Sequence, residues 1–351
     1  MKKVSVLIVE DSSTVRALLE HIIGRDPRLE VAATAASAEE ALRSLDHLTP
    51  DVIAMDIRLP GMDGLEATRR IMSHRPIPIV VVAASVDSQD RNRAAIEALH
   101  VGALAVLEKP VGTTHADYDT LAERLCNQLV SMSQVKLVRR RMARAPRSAP
   151  APVLCPGAGA GYAMLGIVCS TGGPGALVHL LNALGSRFPL PILLVQHMMS
   201  SFLPGFAAWL DGVSPFAAVV VNHGDAPARG SVYMAPAEQH LRLHAGRLWL
   251  DAAEPVCSQR PSGTVLLQSM ALSLGPRALG LVLTGMGEDG AEGLLDVHAA
   301  GGYTIAEDES TAVVYGIPAA AVRLGAVRES LALPAIAPRV LQLTSRSVEA
   351  A

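Results

Sequence analysis

The sequence contains few residues of the kinds that mark zinc, disulfide or nucleic-acid chemistry. Its four cysteines never occur in a CxxC spacing, which argues against a zinc site and fits a reducing compartment. Charged residues are only 18% of the 351 residues and the formal net charge is −3, which offers no electrostatic basis for nucleic-acid binding. No uninterrupted apolar run reaches membrane-spanning length. The first one, Val4–Val9, ends in two acids and is typical of a strand rather than a signal peptide. We expect a cytoplasmic globular protein without membrane insertion.

The first third of the chain alternates apolar strand patterns with helical ones. The pattern predicts strands at Val4–Val9, Leu29–Ala33, Val52–Met55, Ile79–Ala83 and Ala105–Leu107. It predicts helices near Ser13–Gly24, Ala38–Leu45 and from about Tyr118 toward Gln134. Alternation of this kind indicates a doubly wound parallel sheet.

A change of composition separates this part from the rest. Residues 145–152 are rich in proline and alanine and residues 157–161 in glycine, a density that cannot build a core and is typical of a linker. The glycines follow a proline-rich stretch rather than a strand, which argues against a dinucleotide-binding loop. From Tyr162 the pattern is again α/β. We therefore predict an α/β protein with two doubly wound parallel-sheet domains, at 1–132 and 161–349, joined by a linker at 133–160.

Three reactive residue types follow buried strand runs in the second domain. Ser170 follows Met164–Cys169, His197 follows Leu190–Gln196, and Asp289 lies in the glycine-rich loop after Ala278–Leu283. The carboxyl ends of parallel strands share one edge of a sheet, so these side chains should converge there. A serine with a histidine and a carboxylate in reach predicts a nucleophile, a base and an orienting acid.

Each of these residues also has a simpler interpretation. Ser170 is compatible with an ordinary turn, His197 with a hydrogen-bonded structural residue, and Asp289 with a cap for the helix that begins near Ala291. Thr264 is a candidate cap for a helix at Thr264–Leu274. Cys169 is a rival nucleophile, although its position on the strand points its side chain toward the core.

The first domain places carboxylates at the same kind of edge. Glu10 and Asp11 end the first strand, Asp56 ends the third and Lys109 ends the fifth. Carboxylates that lie so near one another repel unless a cation lies among them, and oxygen ligands suit Mg²⁺. Asp56 would then be the phosphoryl acceptor and Lys109 would contact the phosphoryl group. The simpler interpretation is a set of separate capping acids.

These residues resemble the acidic pair, phosphoacceptor and lysine of the response-regulator receiver domain, a flavodoxin-like fold. The resemblance covers roughly residues 1 to 132 and implies Mg²⁺-dependent phosphorylation of Asp56 by a sensor histidine kinase, with Glu10, Asp11 and Asp56 as metal ligands. Two positions depart from the family. Ala83 stands where receivers carry Ser or Thr, and Val106 where they carry an aromatic residue.

The second domain resembles the Rossmann-like catalytic domain of the bacterial chemotaxis protein-glutamate methylesterases, the CheB family. The motifs that carry this resemblance are Cys169–Pro174, Val195–Met198, Ala235-Pro236 with His240, Arg260-Pro261-Ser262, Leu283–Gly290 and Val314–Pro318. The resemblance implies that Ser170, His197 and Asp289 are catalytic, with Thr171 and Met286 lining the site or contributing oxyanion contacts. Gln259 and Thr264 stand where many members have His and Asp, a departure relevant to substrate fit.

The resemblance implies hydrolysis of γ-glutamyl methyl esters on methyl-accepting chemoreceptors. Methanol would be released, no cofactor would be needed for hydrolysis, and the receiver would control the activity. Deamidation of receptor glutamine is implied as a second activity. The alternative is a catalytically silent, phospho-regulated scaffold in a chemosensory array. A DNA-binding regulator does not fit, because the output region is α/β and lacks a helix-turn-helix pattern.

Overall fold

The first unit of the computed structural model is a parallel sheet covered by helices on both faces. The structure describes residues 2–83, 89–110, 118–135 and 161–345. The strands of the first unit are β1 (Val4–Val9), β2 (Leu29–Ala35), β3 (Val52–Met55), β4 (Ile79–Ala83) and β5 (Ala105–Glu108). Its helices are α1 (Ser13–Arg25), α2 (Ala38–Leu45), α3 (Gly64–His74), α4 (Gln89–His100) and α5 (Tyr118–Ser133).

The five strands pair in the order β2-β1-β3-β4-β5, all parallel. This is the flavodoxin-like order of doubly wound sheets. Strands β3 and β4 are buried along their whole length because helices cover both faces, which explains their continuous apolar runs. The carboxyl ends of β1, β3 and β5 therefore lie along one edge.

The second unit contains a larger parallel sheet. Its strands are β6 (Met164–Cys169), β7 (Ile192–Gln196), β8 (Ala217–Val220), β9 (Ser231–Met234), β10 (His240–His244), β11 (Arg247–Asp251), β12 (Ala278–Val282), β13 (Tyr303–Glu307) and β14 (Glu329–Leu331). Its helices are α6 (Gly173–Leu184), α7 (Leu203–Val213), α8 (Gly263–Leu274), α9 (Ala291–Ala299), α10 (Ile317–Arg323) and α11 (Leu333–Ser345).

Seven of these strands form one sheet in the order β14-β13-β12-β6-β7-β9-β8, all parallel, and β10 and β11 form a separate antiparallel hairpin. The first strand of this unit, β6, is central in the sheet. The next strand, β7, pairs on one side of β6, and β12 later pairs on the other side. Such a reversal of strand order opens a crevice at the carboxyl ends, where ligands bind in open α/β sheets.

The two units share apolar contacts. Ile96 on α4 is buried in the same cluster as Trp209 and Phe206 on α7. Phe202, just before α7, is buried in the core cluster of the first unit, with Met198 and Met199 packed against that cluster. The segment that follows β7 is therefore packed against the first unit.

The predicted α/β class with two doubly wound parallel sheets is confirmed. Most of the predicted linker, residues 136–160, lies outside the described residues, so the division at 133–160 stays a prediction. The sequence also predicts short strands at Val232–Ala235, Leu241–His244 and Leu248–Leu250 that close a hairpin region. This prediction was partly wrong, because β9 joins the main sheet between β7 and β8 and only β10 and β11 form the hairpin.

The predicted cap Thr264 and the alternative interpretation of Asp289 as a cap were also wrong. Thr264 does not cap α8, because Ser262 is the N-cap and its hydroxyl accepts a hydrogen bond from Val265 N–H at 3.3 Å. Asp289 does not cap α9, whose N-cap is Gly290 with φ of 101° and no side-chain cap. The carboxylate of Asp289 turns to a different helix.

Candidate functional site

Ser170 lies at the tight corner between β6 and α6. Its carbonyl accepts a hydrogen bond from Gly173 N–H at 2.8 Å, which closes the turn. Gly172 has φ of 80°, a left-handed backbone that favours glycine. A Cβ on Gly173 would lie 2.1 Å from Gln196 Oε1, so no side chain fits there. The glycines allow the chain to reverse within four residues and leave Ser170 half-buried at the sheet edge.

His197 lies beside Ser170 because their strands are hydrogen-bonded neighbours. Cys169 pairs with Gln196 in the register of β6 and β7, and His197 N–H donates to the Cys169 carbonyl at 2.9 Å. The Gln196 side-chain amide donates to the carbonyls of both Ser170 and His197, each at 2.9 Å. Gln196 therefore fixes the two backbones relative to each other.

Asp289 contacts His197 directly. Its Oδ2 atom lies 2.7 Å from His197 Nε2, and both side chains are buried. Burial alone would raise the pKa of Asp289, but hydrogen bonds from His197, Ser262 and Gly263 outweigh burial and hold this pKa below its usual range. Because Nε2 is engaged by the carboxylate, Nδ1 is the ring nitrogen left for a proton from elsewhere.

The loop between β12 and Asp289 meets the Ser170 corner. Ser170 N–H donates to the Thr284 carbonyl at 3.1 Å, and a Cβ on Gly285 would lie 2.8 Å from Ser170 Cβ. The predicted trio thus occupies one region: Ser170 and His197 line the same cavity, and Asp289 lies behind His197.

Thr171 and Met286 take different positions. Thr171 lines the cavity, and its carbonyl accepts a hydrogen bond from Thr284 Oγ1 at 2.9 Å. No residue that the structure describes accepts a hydrogen bond from the Thr171 N–H, so this donor is available to a ligand. Met286 is 47% exposed on the loop before Asp289 and is not among the residues that line the cavity.

Gln259 and Thr264, which depart from the pattern of many methylesterase-family members, lie in different surroundings. Gln259 lines the cavity. Thr264 is buried and does not, and its hydroxyl accepts a hydrogen bond from Gly290 N–H at 2.8 Å. Of these two departures, only Gln259 can contact a substrate in the cavity.

The cavity has a volume of about 710 Å³ and lies between the two units. One wall carries Ser170, Thr171 and His197. The other wall comes from the first unit, through residues of α4, β5 and α5 that include Leu99, Leu107, Arg124 and Gln128. A ligand that reaches Ser170 along this route has to pass the first unit.

The first unit brings its own predicted residues together. Ligand oxygens of Glu10, Asp11 and Asp56 all lie within 4.8 Å of one another. Lys109 Nζ lies 2.7 Å from both Asp56 Oδ2 and Glu10 Oε2. Burial raises the pKa of Glu10, and the nearby Asp56 adds to this effect against the opposing contact with Lys109. Three convergent carboxylates form the all-oxygen donor set that Mg²⁺ prefers.

Comparison with known proteins assigns the family. A family model described as CheB methylesterase matches residues 165–340, and one described as response regulator receiver domain matches residues 6–116. Over 97% of its length, the chain is 56% identical to the protein-glutamate methylesterase/protein-glutamine glutaminase 2 of Paramagnetospirillum magneticum, of which 98% is covered. The chain belongs to the CheB methylesterase family.

Other CheB relatives support the same assignment. The protein-glutamate methylesterase/protein-glutamine glutaminase 4 of Myxococcus xanthus is 42% identical over 95% of both chains. The crystal structure of the Thermotoga maritima CheB methylesterase catalytic domain aligns with a TM-score of 0.50 and 32% identity, covering 52% of this chain and 98% of that one. The predicted family, and a receiver-type domain ahead of the methylesterase domain, are confirmed.

This CheB chain carries an aromatic ring in an unexpected place. Ala83 and Val106 are both buried in the core cluster of the receiver, and the aromatic side chain of that cluster is Phe202, from the methylesterase domain. Phe202 follows His197 by five residues. Sequence reasoning missed it because nothing local marks a contact between domains.

Sequence reasoning also missed Ser262 as a partner of Asp289. Its position before an apolar helix is a recognisable N-cap signal, but nothing in the sequence indicates a contact with Asp289, 27 residues further along the chain.

Among the described residues, none of the helices combines the length and apolar character needed to span a bilayer.

Proposed function

We propose that this CheB-family protein hydrolyses γ-glutamyl methyl esters on methyl-accepting chemoreceptors by a Ser-His-Asp mechanism. The observation that carries the proposal is the 2.7 Å contact between His197 Nε2 and Asp289 Oδ2, beside Ser170 at the carboxyl edge of the sheet. The carboxylate fixes the ring and favours its protonated form when a proton arrives at Nδ1. The names of the relatives, which are methylesterases and glutaminases, support the same reaction.

The reaction begins with Ser170. Its hydroxyl attacks the ester carbonyl carbon while His197 Nδ1 takes the proton, and the carbonyl oxygen becomes an oxyanion. The free N–H of Thr171 is a donor for that oxyanion, with Thr284 holding the Thr171 carbonyl. His197 then gives its proton to the leaving methoxide, and methanol departs from an acyl-serine.

Water completes the cycle. His197 removes a proton from the water, which attacks the acyl carbon, and the proton returns to Ser170 Oγ as the glutamate carboxylate leaves. The same acyl-serine forms from a glutamine side chain with ammonia as the leaving group. We therefore propose deamidation as the second activity. No step in either reaction needs a cofactor.

Cys169 is a poor rival nucleophile. Its side chain is fully buried, and its thiol lies 3.1 Å from Gln196 Oε1 inside the sheet. Burial raises the pKa of the Cys169 thiol well above its ordinary value, so little thiolate exists at neutral pH. Cys126, Cys169 and Cys257 are all free thiols, which supports the proposal of a cytoplasmic protein.

We propose that the receiver controls access to this site after phosphorylation by a sensor histidine kinase. Glu10, Asp11 and Asp56 would hold Mg²⁺, which supplies positive charge beside the incoming phosphoryl group. Asp56 accepts the phosphoryl group and Lys109 contacts it. A phosphoryl group adds about two negative charges, which redirects Lys109 from its present carboxylate partners.

The effect of phosphorylation at Asp56 can reach the active-site cleft without the Ser or Thr and the aromatic residue that Ala83 and Val106 replace. Phe202 is buried with Ala83 and Val106 in the receiver core, and the same segment begins at His197. A shift at the end of β4 or β5 therefore changes the packing of a segment that carries the proposed base. We propose that Phe202 couples the receiver to the active site in place of the missing pair.

Methanol release from membranes that carry methylated chemoreceptors tests the proposal. Wild type should release methanol, and release should rise with a phosphoryl analogue and Mg²⁺. Asp56→Asn should keep the basal rate and lose the response to the analogue. No methanol from wild type under either condition would favour the silent scaffold, and an unchanged rate despite proven modification would remove the control by the receiver.

A further inference from the structure

The carboxylate of Asp289 is held by the first turn of α8 as well as by His197. Ser262 Oγ donates to Oδ1 at 2.5 Å and Thr264 N–H to the same oxygen at 3.1 Å. Gly263 N–H donates to Oδ2 at 2.6 Å, the oxygen that also contacts His197. The N-terminus of a helix carries partial positive charge, which favours an ionised carboxylate there.

Ser262 has a defined hydrogen-bonding role. A carboxylate can only accept, so the single hydroxyl proton of Ser262 points at Asp289. The lone pairs of the same oxygen accept from Val265 N–H at 3.3 Å. Ser262 is fully buried and is not among the residues lining the cavity, so its hydroxyl acts on Asp289 and not on a substrate.

The backbone of Ser262 is fixed by a second buried histidine. Ser262 N–H lies 3.1 Å from His240 Nδ1, and His240 Nε2 lies 3.1 Å from the Glu254 carbonyl. An N–H can only donate and a carbonyl can only accept, so Nδ1 of His240 accepts and Nε2 carries the proton. His240 is fully buried, which makes this arrangement rigid.

We propose that Ser262 is a positioning residue for the esterase reaction, an inference that rests on the proposed function. Its hydroxyl is the shortest contact to Oδ1 and fixes the plane of the Asp289 carboxylate, so that Oδ2 faces His197 Nε2. With Nε2 held by Oδ2, Nδ1 of His197 is the ring nitrogen left to take the Ser170 proton. Without the hydroxyl, the longer contact from Thr264 N–H is the remaining one to Oδ1 within the described chain, so the plane of the carboxylate is held less tightly.

Substitution of Ser262 tests this role, with Ser273 as the matched control. Ser273 lies on the same helix, and its hydroxyl donates to the Leu243 carbonyl at 2.7 Å, away from Asp289. Ser262→Ala should lower kcat for methanol release by about 10- to 100-fold, as expected when a hydrogen bond to a charged group is lost. KM should stay unchanged, and Ser273→Ala should leave both constants near wild type.

Two further variants separate positioning from capping. Glycine is nearly as good an N-cap as serine, so Ser262→Gly should fold and still lose kcat to the same extent. Ser262→Thr keeps a hydroxyl and should recover most of the rate. The low-field proton resonance of the His197–Asp289 hydrogen bond should shift in the Ala and Gly variants and return in the Thr variant, which reports on the contact even without turnover.

Normal kcat in Ser262→Gly with an unmoved low-field proton would overturn the positioning role. So would equal losses in Ser262→Ala and Ser273→Ala. Failure of the proposed function looks different, because then wild type releases no methanol and Ser170→Ala changes nothing, while the proton resonance still reports whether Ser262 orients Asp289.

Discussion

The imidazole of His100 on α4 and the indole of Trp209 on α7 lie with their ring centroids 5.6 Å apart. One ring belongs to the receiver and the other to the methylesterase domain. Residues of α4 line the cavity that leads to Ser170, and so does the segment Ser200–Phe202 that directly precedes α7. This pair is therefore one of the contacts that join the two domains.

His100→Ala should raise the basal activity of the unphosphorylated protein. Aromatic pairs of this kind contribute about 0.5–1.5 kcal/mol, so loosening the interface should raise methanol release by about 2- to 10-fold. His244→Ala is the matched control, because His244 makes a similar contact with Trp249, at 5.5 Å, within the methylesterase domain. Equal effects of the two variants would contradict a closing role for the His100–Trp209 contact.

Gly285→Ala should lower activity sharply. The added Cβ would lie 2.6 Å from Ile317 Cδ1 and 2.8 Å from Ser170 Cβ, which forces the Ser170 corner to move. Displacement of a reacting group by about 1 Å can cost about 100-fold in rate.

Gly212→Ala provides the control for that substitution. Gly212 lies in α7, and apart from its own helix backbone and chain neighbours no described atom lies within 4 Å of an added Cβ. Alanine there should keep the rate and stabilise the protein by about 0.5–1 kcal/mol through helix propensity. Loss of activity in both variants would show that the loss comes from replacing a glycine in general, and not from the close contact of residue 285 with Ser170.

The low pKa of Asp289 predicts a pH-dependent contribution to stability. A carboxyl group whose pKa is lower in the folded protein stabilises it above the unfolded value of about 3.9, and this contribution is lost as pH falls through the folded pKa. Asp289→Asn should therefore be less stable than wild type at neutral pH, and the difference should shrink below about pH 4.

Denaturant unfolding followed by tryptophan fluorescence measures this difference. Both tryptophans, Trp209 and Trp249, lie in the methylesterase domain, so the signal reports on the domain that contains Asp289. A difference that is constant from neutral pH down to the acid range would contradict the linkage to Asp289.

Sequence reasoning located the strand ends well because buried parallel strands leave continuous apolar runs. The runs before Ser170, His197 and Asp56 each matched an observed strand, and parallel pairing then brought polar residues to one edge. The identity of Asp289's partners was less accessible. Ser262 and Thr264 both carry hydroxyls near the start of α8, so the sequence alone does not tell which of the two is the N-cap.

Contacts between distant elements were beyond reach from sequence. Ser262 meets Asp289 only through the packing of α8 behind β12, and Phe202 enters the receiver core only because the domains dock. Neither contact has a periodic signal along the chain. Met286, predicted to line the site, belongs to a short loop whose path depends on the neighbouring strands, and its side chain lies on the surface.

Ser170 is the proposed nucleophile, and methanol release by wild type, Ser170→Ala and Cys169→Ala tests this role. Ser170→Ala should lower turnover by about 10⁴-fold or more, because the acyl-serine cannot form. Cys169→Ala should keep most of the activity, since that thiol is buried beside Gln196. Near-normal ester hydrolysis by Ser170→Ala, or loss of turnover confined to Cys169→Ala, would show that Ser170 is not the nucleophile.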